Sequence, residues 1–166
     1  MKFVEKIKIR VKIFLLIFSY SLIFNSLFIH SSSSMEKNNK IALHGGYTFE
    51  TFKGQKNTSV YISVFNNSKE DQIIKSVSTN LSKVSEFHTS LIMDDIRKMI
   101  KLEEITISAN SSHFFQPGKD HIMVMNIKKK LKDGDEFDLE FVLEDGSILK
   151  SKIKVLNRKL KTMNHM

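Results

Sequence analysis

The stretch EFDLEFVLEDGSILKSKIKV, residues 136–155, sets two runs rich in apolar and β-branched residues on either side of Asp145-Gly146. Asp-Gly between such runs is a strong short-range signal for a β-hairpin, because both residues accept the positive φ that a tight turn needs. Working back towards the N-terminus, the same grammar repeats as far as Tyr47. Strands are predicted at 47–52, 59–65, 72–79, 85–92, 96–101, 104–107, 121–127, 136–142 and 147–155. Turn residues fall between them at Asn66-Asn67-Ser68, Asp94-Asp95, Asn110-Ser111-Ser112, Pro117-Gly118 and Asp133-Gly134. Short strands punctuated every eight to twelve residues predict an all-β chain. A two-sheet sandwich is favoured, with a small barrel as the alternative.

The N-terminus reads differently. Lys2, Lys6, Lys8, Arg10 and Lys12 stand against Glu5, and an apolar run follows from Ile13 to Ile29, then His30 and Ser31 to Ser34. A basic start followed by an apolar run is the order of an export signal. Residues 1–34 are therefore expected to be a signal peptide cleaved near Ser33 to Met35 or, alternatively, an uncleaved membrane anchor. Either places the remainder outside the cytoplasm, and a periplasmic location is expected. Residues 35–155 make one β-sandwich domain, and 156–166 a basic tail carrying Met163, His165 and Met166.

The formal charge of +8 shrinks once the signal is set aside, since the remaining chain has 21 Lys and Arg against 17 Asp and Glu. Much of the excess lies in 150–161, where no aromatic residues are interleaved for base stacking. The composition gives no support to a nucleic-acid partner. With no cysteine, the chain has no disulfide, no thiolate nucleophile, no lipid-bearing cysteine and no blue-copper centre. No nucleophile motif or paired carboxylate site marks an enzyme, and a hydrolytic role is not expected. Methionine is the one sulfur ligand available.

In a strand at 121–127, His121, Met123 and Met125 share a face, because side chains alternate. By itself this is more often core packing than ligation. A second cluster adds to it. His88 falls in one predicted strand and Met99 in the next, and a loop centred between Met93 and Asp94 sets the two directly opposite each other, Cβ atoms about 4.5–5.5 Å apart. Two imidazoles and two thioethers are neutral, soft to borderline donors. Copper(I) suits that mixture, whereas zinc, calcium and magnesium prefer other ligands. His44, beside Gly45-Gly46, and His113, beside Phe114-Phe115, have no donor at a suggestive spacing.

The spacing His88, ten residues, Met99, twenty-one residues, then His121-Ile122-Met123 resembles the signature of the periplasmic PCu(A)C copper chaperones. The flanking Val60-Tyr61-Ile62, Phe87-His88-Thr89, Pro117-Gly118 and Leu131-Lys132-Asp133-Gly134-Asp135 are similar to that family as well. The resemblance implies a cupredoxin-like Greek-key β-sandwich. It implies a Cu(I) site at His88, Met99, His121 and Met123, and delivery of the ion to an acceptor, cytochrome c oxidase during its assembly. An exported β-sandwich that binds a protein partner, its methionines merely packing, is the competing reading.

Overall fold

The computed structural model describes residues 40–159. The signal or anchor segment 1–34 and the tail methionines fall outside the described residues. Ten strands follow one another: β1 Ile41–Phe49, β2 Thr58–Asn66, β3 Gln72–Thr79, β4 Val84–Met93, β5 Ile96–Leu102, β6 Ile105–Ile107, β7 Ser112–Phe115, β8 His121–Met125, β9 Glu136–Leu143 and β10 Ile148–Leu156. They hydrogen-bond in the order β5-β4-β8-β2-β1-β10-β9-β3-β6, with β7 on β2. Every pairing is antiparallel except β1 with β10.

β2 is the hinge of this sandwich. Along one edge it meets β1. Along the other, Thr58 to Val60 pair with β8 and Ile62 to Phe65 pair with β7. One strand thus belongs to two sheets, and the small sheet β5-β4-β8 lies across the larger one. Between them sits the core, supplied by alternate residues of each strand: Phe87 from β4, Ile122 and Val124 from β8, Val60, Ile62 and Val64 from β2, and Leu139, Phe141 and Ile153 from β9 and β10. At its centre the rings of Phe87, Phe115 and Phe141 stack nearly parallel, with centroids 5.8–6.3 Å apart.

Strands β2 to β6 and β8 to β10 lie within two residues of the predicted spans, whereas β1 and β7 depart from them. β1 starts at Ile41, ahead of the expected Tyr47, because Gly45-Gly46 is a bulge inside the strand and does not begin it. His44 pairs with Ser63 but Tyr47 with Tyr61, so one extra residue is accommodated. Gly45 provides φ 68° at that point, and a Cβ on Gly46 would run into the Ile153 side chain. The bulge also exchanges the faces of β1. Ile41 is in the core, while beyond the bulge Thr48 turns inward, donating to the Ser59 carbonyl at 2.7 Å and paired with Thr58. Tyr47 and Phe49 turn outward onto Tyr61. β7 was absent from the expected strands because four residues between two turns carry no readable period.

The β4–β5 hairpin corrects a further expectation. Met93 pairs with Ile96 across a two-residue loop in which Asp94 and Asp95 both have positive φ, 54° and 60°, the geometry of a type I′ turn. The loop is centred one residue later than predicted. His88 therefore pairs with Lys101, and Met99 with Ser90. Glycine favours the second turn position. Asp95→Gly is expected to stabilise the fold by about 0.5–1 kcal/mol, seen as a higher urea midpoint at unchanged slope.

Beyond β10 the chain stays anchored. Arg158 lies over the Phe52 ring, 3.9 Å from its centroid, and donates to the Glu50 carbonyl at 2.9 Å.

Candidate metal centre

Because Phe87 and Ile122 point into the core, their neighbours Glu86, His88, His121 and Met123 stand on the opposite, outer face of the small sheet. β4 pairs with β8 so that His88 is directly across from His121, and Glu86 across from Met123. The two imidazole rings lie 6.0 Å apart, centroid to centroid, tilted by 54°.

Met99 joins the same face from β5. The hairpin register is two residues away from the one expected, and side chains repeat every two residues, so the slip leaves Met99 on the side of His88. It is a diagonal neighbour now, about 7–8 Å between Cα atoms, still within reach of a thioether arm. All four predicted ligands are thus gathered on one face: the histidines as a direct pair, Met99 one step away towards the hairpin tip, and Met123 one step away in the other direction. Met125 shares the face but pairs with Val84, about 13 Å along the strand from His121.

The ring nitrogens are sorted by their partners. His121 Nδ1 donates to the Lys119 carbonyl at 2.9 Å, and its Nε2 is buried with no hydrogen bond. His88 Nε2 meets Glu86 Oε2 at 3.0 Å, and its Nδ1 is likewise buried and unbonded. A buried polar atom without a partner costs stability unless something else satisfies it. Two such lone-pair nitrogens, on adjacent strands of a face that also bears two thioethers, fit a soft monovalent ion. Among the described residues no group of three or more His, Cys, Asp or Glu could hold a harder one.

Burial grades across the site. His121 is 4% exposed, while Met99 is 52% exposed on the outermost strand. Beside Met123 an open cleft of about 140 Å³ runs to Tyr61 and Arg158. Burial pushes the Tyr61 hydroxyl above its ordinary range, which keeps it a neutral phenol. The hydrogen bond with His88, with the charge of Lys101 adding to it, holds the Glu86 carboxyl below its ordinary range.

Sequence reasoning singled out four candidate donors, which the fold places on one face, but missed the groups bonded to the two imidazoles. Glu86 was legible in principle, since a residue two positions before His88 in a strand shares its face. The Lys119 carbonyl was not, because a backbone acceptor leaves no trace in residue type. His113 sits apart on β7 beside Asp120, 3.3 Å away. Burial holds its imidazole below the ordinary range despite that carboxylate.

The sequence model of the LpqE-like lipoprotein family matches residues 41–155. A curated relative, uncharacterized protein RP573 of Rickettsia prowazekii (strain Madrid E), is 28% identical over 102 residues, 61% of this chain and 56% of that protein. The match thus spans little more than half the length of the relative. Among solved structures, the copper-bound PCuAC domain from PmoF2 superposes with a TM-score of 0.60 at 17% identity, covering 71% of this chain and 93% of that one. The Cu(I) form of DR1885 from Deinococcus radiodurans gives 0.56 at 21% identity, covering 75% and 83%. At such identities the likeness establishes the fold, a cupredoxin-like β-sandwich. Matched by the family model across nearly the whole described domain, the chain belongs to the LpqE-like family and has the fold of a PCuAC domain.

Proposed function

We propose that this protein is an exported copper(I) carrier that holds one ion through His88, Met99, His121 and Met123 and hands it to an acceptor. The observation that carries this reading is the pair of buried, unbonded nitrogens, His88 Nδ1 and His121 Nε2, set on one sheet face with two thioethers. The fold neighbours solved with copper support it. So does the neutral donor set, which leaves the bound ion's charge intact and supplies no nucleophile, as suits transport better than catalysis. Met99, on the exposed strand, gives an acceptor's ligands a side from which to approach. The acceptor proposed is cytochrome c oxidase during assembly, on the strength of the resemblance to the PCu(A)C chaperones.

The test is a Cu(I) titration under reducing conditions against a competing chelator. One equivalent per chain is expected. Met123→Ala should weaken binding at least about tenfold, while Met125→Ala should change it little, given the 13 Å that separates Met125 from His121. Equal effects of the two substitutions would dissolve the site as drawn.

Export rests on the basic start and apolar run of residues 1–34. The mature chain is expected to begin near Met35, and N-terminal sequencing or intact mass decides it. A species retaining Met1 would mean an anchored protein.

A second reading, a protein-interaction domain with no metal role, draws on the β4–β5 hairpin. Leu91, Ile92, Met93, Ile96 and Ile100 are all at least 40% exposed there. It predicts no copper in the purified protein and no tight equivalent in the titration.

A further inference from the structure

We infer that Glu86 is a positioning residue of this centre, fixing His88 in the tautomer that carries its proton on Nε2 and so assigning Nδ1 as the atom that takes the metal. The inference rests on the copper reading above and goes beyond it by naming the donor atom and the group that selects it.

At about pH 8, far above the ordinary carboxylate range, a glutamate side chain only accepts hydrogen bonds. With Glu86 Oε2 at 3.0 Å from His88 Nε2, that nitrogen must carry the hydrogen, and in the neutral ring the lone pair is then on Nδ1. Nδ1 is the atom left buried and unbonded. Glu86 is in turn held from its other oxygen: Lys101, paired with His88 across the β4–β5 ladder, places Nζ 3.4 Å from Oε1. The chain Lys101–Glu86–His88 runs across two strands of one face, each member placed by strand register and none by a loop.

His121 is oriented differently. Its Nδ1 hydrogen goes to the backbone carbonyl of Lys119, and its free nitrogen is Nε2. The two imidazoles would then bind through unlike atoms, His88 by Nδ1 and His121 by Nε2. One tautomer is fixed by a side chain that substitution can remove, the other by the main chain. Partners of this kind raise the basicity of a ligating histidine as well as orienting it, and their loss typically costs about 10–100-fold in metal affinity.

The experiment compares wild type, Glu86→Ala, Glu86→Gln and His121→Ala. Nitrogen-15 NMR of the metal-free proteins at about pH 8 reads the His88 tautomer directly. Chelator competition reads Cu(I) affinity, and thermal melting confirms that each variant is folded. Wild type should show the Nε2-protonated form of His88. Glu86→Ala should show a mixture of tautomers and an affinity about 10–100-fold lower. Glu86→Gln, whose amide oxygen can still accept from Nε2, should keep the tautomer and most of the affinity. A wild-type tautomer in Glu86→Ala, or wild-type affinity in that variant while His121→Ala loses copper, overturns the role of Glu86 and leaves the centre standing. Wild-type affinity in His121→Ala would overturn the centre itself. Should Glu86→Ala fail to fold, the Nδ1-protonated form of His88 in wild type overturns the assignment on its own.

Discussion

Replacing His121 by alanine is expected to lower Cu(I) affinity by more than the roughly 100-fold that marks the upper end for losing an outer-shell partner. The imidazole is 4% exposed, directly across from His88, with Nε2 buried and unbonded. Deletion removes a donor atom, and alanine offers nothing to replace it. Met99 and Met123 would remain one on each side of His88, too few to hold the ion tightly. The measurement is chelator competition under reducing conditions, with circular dichroism to show that the sheet survives loss of the bond from Nδ1 to the Lys119 carbonyl. Unchanged affinity would remove the site, and the carrier function with it.

Phe141→Ala is expected to cost about 3–5 kcal/mol of folding stability, the range for truncating a fully buried aromatic ring. Phe141 on β9 is 0% exposed and stacks on both Phe87 of β4 and Phe115 of β7. Removing it opens a cavity where three strands from the two sheets meet, and the flat rings around it cannot collapse to fill the space. Urea unfolding monitored by circular dichroism measures the loss. A cost below about 1 kcal/mol would mean that the stack is not the centre of the core. The face that bears His88 and His121 has a stake in this result, because Phe87 lies between Glu86 and His88 in sequence and anchors β4 from behind.

The sequence by itself determined what is local. Alternation and turn residues located most strands to within two residues, Asp145-Gly146 announced the last hairpin, and the period of two placed His121 and Met123 on one face. That period also kept Met99 on the face that bears His88. The hairpin register was predicted with the wrong pairing, yet a slip of two residues returns every side chain to its own side, so the candidate donors still share one face. What failed locally did so where the backbone departs from regularity: the positive-φ pair Asp94-Asp95 recentred a turn, and Gly45 buried a bulge inside β1.

Only the tertiary structure decided which strands far apart in sequence are neighbours. That β4 lies beside β8, with His88 directly across from His121, follows from how Phe87 and Ile122 pack into a core shared with β9, and no spacing along the chain contains it. The ring-nitrogen partners, Glu86 and the Lys119 carbonyl, are of the same kind. A strand's own period is set by its backbone geometry and is written in its residues. Its partners are selected by burying apolar faces far apart in sequence, and that choice exists only once the sheets close on one another.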